Sequence, residues 1–497
     1  MREKKPGSQG AIPSSIALSE KRNGDLSSTQ GFFKPEEYKI PTLSLLDDMV
    51  EIIKTQVGLP DLSNTVFIGV QHVLETTVTL FDALIALGVK PYNMFFSGKC
   101  YSTSPVIEAQ VKKRGIHLMP SNKPLKPGEY EEYCQRGIAK MWRNCMAEIN
   151  GKPIDAIIIL DEGGRCLENI PSSVGLNYRI AAIEQTRGGL YTESVSLLPF
   201  PLIEVATCAV KKILEPPLIA EAIINVVIRK VRNLLASLQT EAGKTTFGII
   251  GNGAIGGAIT KLLLSLGYTV AVYDESESAF QQIIDKSFFR MENVDSVIAI
   301  ADIIFGCTGK DITSKVDLLK LIKKDKTFIS CTSEDKEFKT LLRSIGSQSI
   351  VPIDTLSDIV CYTKNGRTIT VLQGGFPINF DRNPWNVPAN SIEVTQGLLL
   401  GGCLQAILCA TKAINDGKTI NHIGSRQALH PLLQKYVAIH WLKRQKDYAH
   451  LEKNLAFFSD VQAIEKNSGG IAPESVVINR AFEKADPVKR LLPRSKL

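Results

Sequence analysis

The chain has 497 residues, of which 44% are hydrophobic and 22% are charged, and its formal net charge is +7. These values are ordinary for a soluble globular protein and leave room for two or three domains with a substantial core. Much of the excess positive charge lies at the two chain ends, and no interior segment interleaves Lys or Arg with aromatic residues. We therefore expect no nucleic-acid partner.

The ten cysteines show no C-x-x-C pattern and no paired Cys and His spacing, which favours reduced thiols and indicates no metal site. The N-terminus lacks the apolar core of a signal peptide, and no run approaches the roughly 20 apolar residues of a membrane span. We therefore expect a cytoplasmic protein with no membrane partner. The last three residues, Ser495-Lys496-Leu497, match a peroxisomal signal, so a peroxisomal location is the alternative for a eukaryotic protein.

The first 40 residues are rich in Ser, Gly and Lys and show no sustained periodicity, which predicts a disordered arm. From residue 41, short apolar runs alternate with helical patterns. The apolar runs predict strands at 65–70, 91–98 and 156–160, and the stretches between them predict helices at 75–88, 104–115 and 129–149. This alternation predicts a parallel sheet covered on both faces.

A helix predicted at 216–238 begins with two prolines and connects this region to a second α/β region. The second region starts at residue 247, and its later apolar runs lie at 294–309, 326–333 and 367–375. A long apolar helix at 391–414 is expected to pack back on the first region.

The whole pattern predicts an α/β fold with two Rossmann-like domains, each built on a doubly wound parallel sheet. We expect the first domain to comprise residues 41–215 and 385–415, and the second domain to comprise residues 216–384. A helical and then irregular extension is expected at 416–497.

Three glycines mark the start of the second domain. Gly251, Gly253 and Gly256 have the G-x-G-x-x-G spacing, with Ala254 and Ile255 between the last two, and they lie between an apolar strand and a helical run. In a dinucleotide site the first glycine allows the tight turn, the second lets the backbone approach a pyrophosphate, and the third lets helix and strand pack closely. The free N–H groups at the helix start favour the diphosphate.

Asp274 ends the strand that follows this helical run. A carboxylate there can accept hydrogen bonds from the hydroxyls of an adenosine ribose, and it would repel a 2′-phosphate. The sequence therefore predicts that the cofactor is NAD.

Several segments, in this order and spacing, resemble the S-adenosylhomocysteine hydrolase family. They are VQHVLETTVTLFDALIALG (70–88), YSTS (101–104), IILDEGG (158–164), IAAIEQTRGGLY (180–191), GNGAIGGA (251–258) and GGFPINF (374–380). The resemblance covers residues 55 to 410. It implies a substrate-binding first domain, a tightly bound NAD, a small-molecule substrate and a homo-oligomer, either a dimer or a tetramer.

The resemblance also implies roles for individual residues. Lys211 matches the active-site lysine of that family, and Glu215 matches the aspartate four residues later, a spacing at which the two can share a helix face. Glu162 matches an active-site aspartate and keeps its charge, and His72 matches a residue that lines the substrate pocket, as do Ser102 and Thr103.

On the cofactor side, Thr186 and Thr308 match threonines beside the nicotinamide, and Asn379 matches the asparagine that contacts its carboxamide. These three residues complete the set of cofactor-binding candidates that the resemblance implies.

Other positions depart from the family pattern. The residues that hold the purine become Leu74 and Thr76, a glutamate becomes Gln185, and a histidine becomes Glu334. A second histidine has no counterpart in residues 381–388, and the C-terminal tail of the family is not recognisable. Loss of both histidines removes groups that titrate near neutral pH, which argues against the ordinary hydrolase reaction.

Three hypotheses follow. The first is an NAD-dependent, oxidoreductase- or hydrolase-like enzyme that acts on a different nucleoside-like or small-metabolite alcohol, with Glu334 as a replacement base or Arg187 as an anion contact. The second is a catalytically inactive NAD-binding homologue with a regulatory or partner-binding role. The third, which we rank last, is hydrolysis of S-adenosylhomocysteine itself.

Overall fold

The computed structural model describes residues 37–119, 125, 127–192, 198–238, 245–281, 287–316, 318–346, 356–362, 366–412, 426–445 and 473–484. Internal contacts divide the chain into Met1–Lys39 and Ile40–Leu497, and every helix and strand named next belongs to the second unit. Most of the arm predicted at 1–40 and the tripeptide Ser495-Lys496-Leu497 lie outside the described residues.

The first sheet has seven strands, all parallel, in the order β14-β6-β5-β4-β1-β2-β3. Its strands are β1 Thr65–Gln71, β2 Met94–Gly98, β3 His117–Met119, β4 Ala156–Asp161, β5 Ile180–Glu184, β6 Leu202–Glu204 and, from near the end of the chain, β14 Arg426–Ala428. The central strands are buried along their whole length, as expected for a sheet covered by helices on both faces.

Among the described residues, seven helices precede or connect the strands of this sheet. They are α1 Ser44–Ile52, continued by a π-helical turn at Ile53–Val57, α2 Glu75–Ala86, α3 Pro105–Lys113, α4 Tyr130–Ile149, α5 Arg165–Glu168, α6 Val174–Asn177 and α7 Arg187–Leu190. A 3-10 turn at Pro91–Asn93 precedes β2, so the strand expected at 91–98 begins three residues later, at Met94. The apolar face of α4, with Trp142 at its centre, contacts β2 and belongs to one core cluster with residues of β1 and β4.

The second sheet also has seven strands, in the order β12-β13-β11-β10-β7-β8-β9. They are β7 Thr246–Ile250, β8 Thr269–Tyr273, β9 Phe289–Arg290, β10 Ile303–Gly306, β11 Lys326–Ser330, β12 Ile359–Tyr362 and β13 Thr368–Val371. All pairs are parallel except the edge pair of β12 and β13.

Further helices are described in the second region and in the C-terminal part. They are α8 Ala209–Leu238, α9 Ala254–Ser265, α10 Val294–Ile300, α11 Leu318–Leu321, α12 Lys339–Gly346, α13 Ala389–Lys412, α14 Pro431–Leu442 and α15 Pro473–Lys484, with 3-10 turns at Glu277–Phe280 and Leu372–Gly375. The predicted fold class, an α/β fold with two Rossmann-like parallel-sheet domains, is confirmed by these two sheets.

The helix predicted to start at Pro216 begins instead at Ala209 and carries Pro216 and Pro217 inside it. Because proline favours the first turn of a helix, the sequence pattern misplaced the start. The earlier start has a functional consequence, because Lys211 and Glu215 lie in the first turns of this helix and share a face of it, as their spacing predicted. The middle of α8 packs in the core of the second sheet.

The apolar helix α13 packs on the first domain, against α2, β4 and β5, as predicted. By length and composition alone, residues Ala389–Thr411 would be long and apolar enough to cross a membrane, which the sequence interpretation had missed. In the structure 94% of its most apolar window is buried inside the protein, which is typical of a core helix.

Candidate functional site

The glycine turn of the second sheet has the form that the sequence predicts. Gly251 follows β7 with φ +93°, and an added Cβ at Gly256 would lie 1.9 Å from the carbonyl oxygen of Gly251. An added Cβ at Gly253 would meet nothing within 4 Å, so this backbone faces open space. Gly253 is also the residue before α9 and gives it no side-chain cap, which leaves the first N–H groups of the helix available to a phosphate.

Asp274 lies directly after β8, where the sequence placed the ribose contact. Its Oδ2 accepts a hydrogen bond from the backbone N–H of Asn252 at 2.6 Å, and its Oδ1 accepts one from the N–H of Ser276 at 2.7 Å. Each carboxylate oxygen has a second lone pair, so Asp274 can still accept hydrogen bonds from ribose hydroxyls. The residues of this turn therefore fit an NAD molecule.

Thr308 follows β10 on the same edge of the sheet and is held by a buried glutamate. The Oε1 atom of Glu337 accepts hydrogen bonds from the backbone N–H and the hydroxyl of Thr308, both at 2.7 Å, and Oε2 accepts from Gly309 N and Thr332 Oγ1 at 2.8 Å. Burial raises the pKa of Glu337. This carboxyl therefore fixes the loop that follows β10 beside the glycine turn.

The corresponding edge of the first sheet carries charged side chains. His72 follows β1 and approaches Glu162, which follows β4, with Nε2 2.6 Å from Oε1. The Nζ of Lys99, which is 1% exposed, lies 2.9 Å from the same oxygen. The hydroxyl of Ser102 lies 2.5 Å from His72 Nδ1, and Gln185 Nε2 donates to Glu162 Oε2 at 2.7 Å.

The protonation of this network follows from its surroundings. Burial alone would raise the pKa of Glu162, but its contacts with His72 and with the charged Lys99 outweigh burial and hold the pKa well below its ordinary value. Burial lowers the pKa of His72, more than Glu162 raises it. A neutral ring then donates from Nε2 to the carboxylate and accepts at Nδ1 from Ser102.

Lys211 and Glu215 form a second polar group at this edge. Lys211 Nζ lies 2.6 Å from Glu215 Oε1, and the hydroxyl of Thr395, on α13, donates to the same oxygen at 2.9 Å. The positive charge of Lys211 lies close enough to His72 to contribute to the lowering of its pKa. The structure therefore places the four candidate catalytic residues in two close pairs, His72 with Glu162 and Lys211 with Glu215.

Thr186 lies on the first sheet, not on the second. It caps the short α7, and its N–H and hydroxyl both donate to Glu184 Oε1 at 2.7 Å. Burial and, to a smaller extent, the negative charge of the neighbouring Asp161 raise the pKa of Glu184 to about 8. Asp161 is the register partner of Glu184 across β4 and β5.

A buried ion pair connects the two carboxyl edges. Arg165, after β4, donates from Nε and Nη2 to both oxygens of Glu334, after β11, at 2.9 and 2.7 Å. Glu334 has φ +70°, in the left-handed region that glycine favours, and Lys336 lies 3.1 Å from its Oε2. Burial opposes ionisation of Glu334, but Arg165 and Lys336 lower its pKa to about 2. Glu334 is thus an ionised partner of Arg165.

The loop after β13 carries Asn379 and touches the first sheet. Gln373 has φ +54° and donates from Nε2 to the carbonyl oxygens of Pro377, at 2.8 Å, and of Phe380. The ring of Phe380 stacks on His72 with centroids 4.1 Å apart, and Asn379 beside it is buried. The two carboxyl edges therefore face each other, which is where ligands bind in open α/β sheets.

Sequence reasoning missed Lys99, Arg165, Thr395 and Gln396 as members of this site. Gln396 donates from Nε2 to Thr76 Oγ1 at 3.2 Å, which joins α13 to α2. The one available signal was that Lys99 lies between apolar runs, where an unpaired charge would be costly. Arg187, the candidate anion contact, is exposed at the start of α7, where Tyr191 contacts it.

Comparisons with known proteins identify the second domain. Residues 225–331 match the family model of the NAD-binding domain of D-isomer specific 2-hydroxyacid dehydrogenases. Together with the glycine turn, this match makes the region an NAD-binding domain, and NAD is its cofactor.

Sequence relatives cover more of the chain. An uncharacterized protein of Mycobacterium tuberculosis, from two strains, is 26% identical over 367 residues, which are 73% of this chain and 67% of that protein.

Among solved structures, D-2-hydroxyisocaproate dehydrogenase is similar with a TM-score of 0.33 and 15% identity, over 72% of this chain and 100% of that one. A D-lactate dehydrogenase from Sporolactobacillus has a TM-score of 0.32 and 14% identity, over 73% and 99%. A putative D-isomer specific 2-hydroxyacid dehydrogenase from Polaromonas has a TM-score of 0.31 and 14% identity, over 65% and 98%.

The assignment to the S-adenosylhomocysteine hydrolase family was wrong, because the family model that matches the chain describes D-isomer specific 2-hydroxyacid dehydrogenases. The physical reason lies in the motifs used. A glycine turn after a strand, and glycines after neighbouring strands, meet requirements of backbone geometry that many dinucleotide-binding domains share. Such motifs indicate which cofactor binds, but they do not distinguish one protein family from another.

Proposed function

We propose that this protein is an NAD-dependent oxidoreductase that interconverts a hydroxyl group and a carbonyl group of a small molecule. The observation that carries the proposal is the position of the Lys211–Glu215 pair. It lies with His72 and Glu162 at the carboxyl edge of the first sheet, and that edge faces the carboxyl edge of the NAD-binding sheet. A crevice between two such edges is a common place for a substrate.

Lys211 is the best proton donor in this group. Glu215 holds it at 2.6 Å, and an ammonium has three N–H donors, so contacts beyond the ion pair are available to it. The glycine turn and Asp274 would hold NADH, which in carbonyl reduction would supply a hydride to the carbonyl carbon. Lys211 Nζ donates a proton to the carbonyl oxygen, and the two electrons of the C=O π bond become the new O–H bond. Alcohol oxidation is the reverse.

Glu162 and Lys99 have a positioning role in this proposal. Both oxygens of Glu162 accept hydrogen bonds, and both nitrogens of His72 have partners. The imidazole is therefore held in one orientation against Phe380, as a wall of the site. Lys211 remains the residue from which proton transfer is expected.

The test begins with the purified protein, after removal of any bound nucleotide. We expect calorimetry to show that NAD binds. We also expect NADH to form when a subset of alcohols is added, and its absorbance measures the rate. Lys211→Ala should lower kcat by a factor of roughly 10² to 10⁴, the usual contribution of a positioned acid or base, with little change in NAD affinity.

Lys212→Ala is the matched control, because Lys212 is the exposed neighbour on the same turn of α8. It should retain full activity. Equal activity of Lys211→Ala and the native protein would refute the role of Lys211. Failure of NAD to bind would refute the proposal as a whole.

A second candidate function is NAD-dependent contact with another protein, without catalysis. Glu334 supports it, because this residue is locked in an ion pair with Arg165 and does not point free into the crevice as a base. Under this alternative NAD binds, but no alcohol of a broad panel produces NADH, and Lys211→Ala changes nothing.

A further inference from the structure

Two threonines on α13 use their hydroxyl groups differently. A threonine inside a helix often donates to the carbonyl oxygen four residues earlier. Thr411 follows this pattern and donates to the carbonyl oxygen of Ile407 at 2.7 Å. Thr395 instead donates to Glu215 Oε1, on α8, at 2.9 Å. Because a hydroxyl has a single proton, this contact replaces the usual one within the helix.

The oxygen that Thr395 contacts is the one that contacts Lys211. Lys211 Nζ lies 2.6 Å from Glu215 Oε1, so one carboxylate oxygen joins the ammonium and the hydroxyl. Thr395 is 8% exposed, and the side chains of Glu215 and Lys211 are 18% and 13% exposed. Hydrogen bonds are stronger where little water competes for them. The hydroxyl is therefore well placed to fix the carboxylate.

The backbone of α8 is weakened directly after Glu215. Pro216 and Pro217 follow it inside the helix. They have no N–H groups to donate to the carbonyl oxygens of Lys212 and Ile213, and a proline disfavours a helical backbone at the residue before it, here Glu215. The position of the Glu215 side chain therefore depends strongly on contacts with neighbouring elements.

The helix that carries Thr395 is fixed by contacts of its own. Gln396, the next residue, donates to Thr76 Oγ1 on α2 at 3.2 Å. Trp441, on α14, donates from Nε1 to the carbonyl oxygen of Ser391 at 2.9 Å. That carbonyl oxygen is the one that Thr395 would reach in the usual helical pattern. Thr395 is thus presented to Glu215 from a helix that is fastened on both sides of it.

We propose that Thr395 is a positioning residue, whose hydroxyl holds the Glu215 carboxylate against the ammonium of Lys211. This inference rests on the proposed function for the role of Lys211 as the proton donor. Thr395 acts through Glu215, which sets the direction in which Lys211 Nζ points. Precise placement matters because a displacement of about 1 Å can remove much of the effect of a catalytic group.

The first test measures the ion pair and needs neither NAD nor a substrate. The full-length protein is treated briefly with acetic anhydride, which reacts with unprotonated amines, and mass spectrometry gives the rate at Lys211 relative to the exposed Lys212. An ion pair favours the protonated amine. We therefore expect Thr395→Val to raise this ratio roughly threefold or more, the effect of one lost hydrogen bond.

Thr395→Ser keeps a hydroxyl and should retain the native ratio. Thr411→Val is the matched control, because it removes a hydroxyl of the same helix that bonds within that helix. An unchanged or lower ratio in Thr395→Val overturns the inference, as does an equal rise in Thr411→Val. If Thr395→Val does not fold, Thr395→Ala replaces it in the same comparison.

The second test connects the ion pair to the reaction. With an alcohol that the native protein oxidises, Thr395→Val should lower kcat roughly tenfold and change KM and NAD affinity little. In the Lys211→Ala background it should have no further effect, whereas a purely structural role would lower kcat by the same factor in both backgrounds. Equal factors overturn the inference. If no alcohol is oxidised, the proposed function fails, and the labelling ratio still decides whether Thr395 holds the pair.

Discussion

At the carboxyl edge of the first sheet, Glu184 accepts hydrogen bonds from Gly163 N, Gly164 N and Thr186. At the edge of the second sheet, Glu337 does the same for Thr308 and Gly309. Both edges thus use a buried carboxyl to hold a threonine and a glycine loop.

They differ in what they present to the crevice. The first edge presents charged side chains in pairs, and the second presents the backbone N–H groups of a glycine turn. A site made of backbone N–H groups depends on a few glycines, whose spacing can be recognised in the sequence. A side-chain site depends on partners that are distant in the sequence, and it can change its chemistry by substitution.

The largest expected effect is at the first edge. Glu162→Gln leaves the buried Lys99 without its counter-charge, so we expect a loss of about 3–5 kcal/mol in the free energy of unfolding. Urea denaturation measures it. The control is Glu148→Gln, which removes the exposed pair with Lys152 and should leave the urea midpoint almost unchanged. If both variants lost a similar free energy of unfolding, the buried pair would be no more important than the exposed one, which would contradict this prediction.

The corresponding test at the second edge is steric. Gly256→Val places a side chain against the carbonyl oxygen of Gly251, so we expect at least a roughly 100-fold loss of NAD affinity, or about 2.7 kcal/mol. Gly257→Ala is the control, because its Cβ would meet only ordinary contacts at 3.5 Å. Calorimetric titration with NAD compares them. Native affinity in Gly256→Val would mean that NAD does not use this turn.

The difference between the two edges explains which features could be predicted from the sequence. Strands β1, β2 and β4, the glycine turn and Asp274 were found because their signals are local. Lys99 and Glu162 are 63 residues apart, and Arg165 and Glu334 are 169 residues apart, so neither pair is visible before the fold is known. The start of α8 was misread because the local preference of Pro216 was overridden by packing.

The family was misread for a related reason. Short glycine and acid motifs report backbone requirements, and those are common to unrelated activities. The four candidate catalytic residues form two close pairs, and their roles remain predictions.

The contact between the two edges gives a third test, which depends on pH. The pKa of Glu334 is lowered to about 2 from an ordinary value of 4.5, so its pair with Arg165 contributes stability that is full above about pH 4.5 and is lost as the pH falls toward 2. We expect Glu334→Gln to cost about 3 kcal/mol at pH 7.

The cost of Glu334→Gln should shrink at pH 3, where part of the native contribution is already lost, and urea denaturation at both pH values checks it. Glu132→Gln, which removes an exposed pair with Arg343, is the control. A cost that is the same at both pH values would contradict the ionised state of Glu334.

The smallest expected effect is at the surface beside the NAD turn. Lys310 and Glu275 lie 3.2 Å apart, but their side chains are 74% and 76% exposed. We expect Lys310→Ala to change the free energy of unfolding by less than about 0.5 kcal/mol. A shift in the urea midpoint that corresponds to more than 1 kcal/mol would mean that this pair is far better shielded from solvent than the structure indicates.

The position of β14 has a consequence for how the protein is made. This strand pairs with β6, and α13 packs on β4 and β5, yet both are translated after the whole NAD-binding sheet. The ribosome therefore releases every strand of the second sheet before the first sheet has its last strand and its covering helix. We expect the dinucleotide-binding half to fold on its own during synthesis. Until β14 and α13 have been made, the N-terminal sheet remains incomplete and its apolar face stays uncovered. That interval is when this chain is most exposed to aggregation.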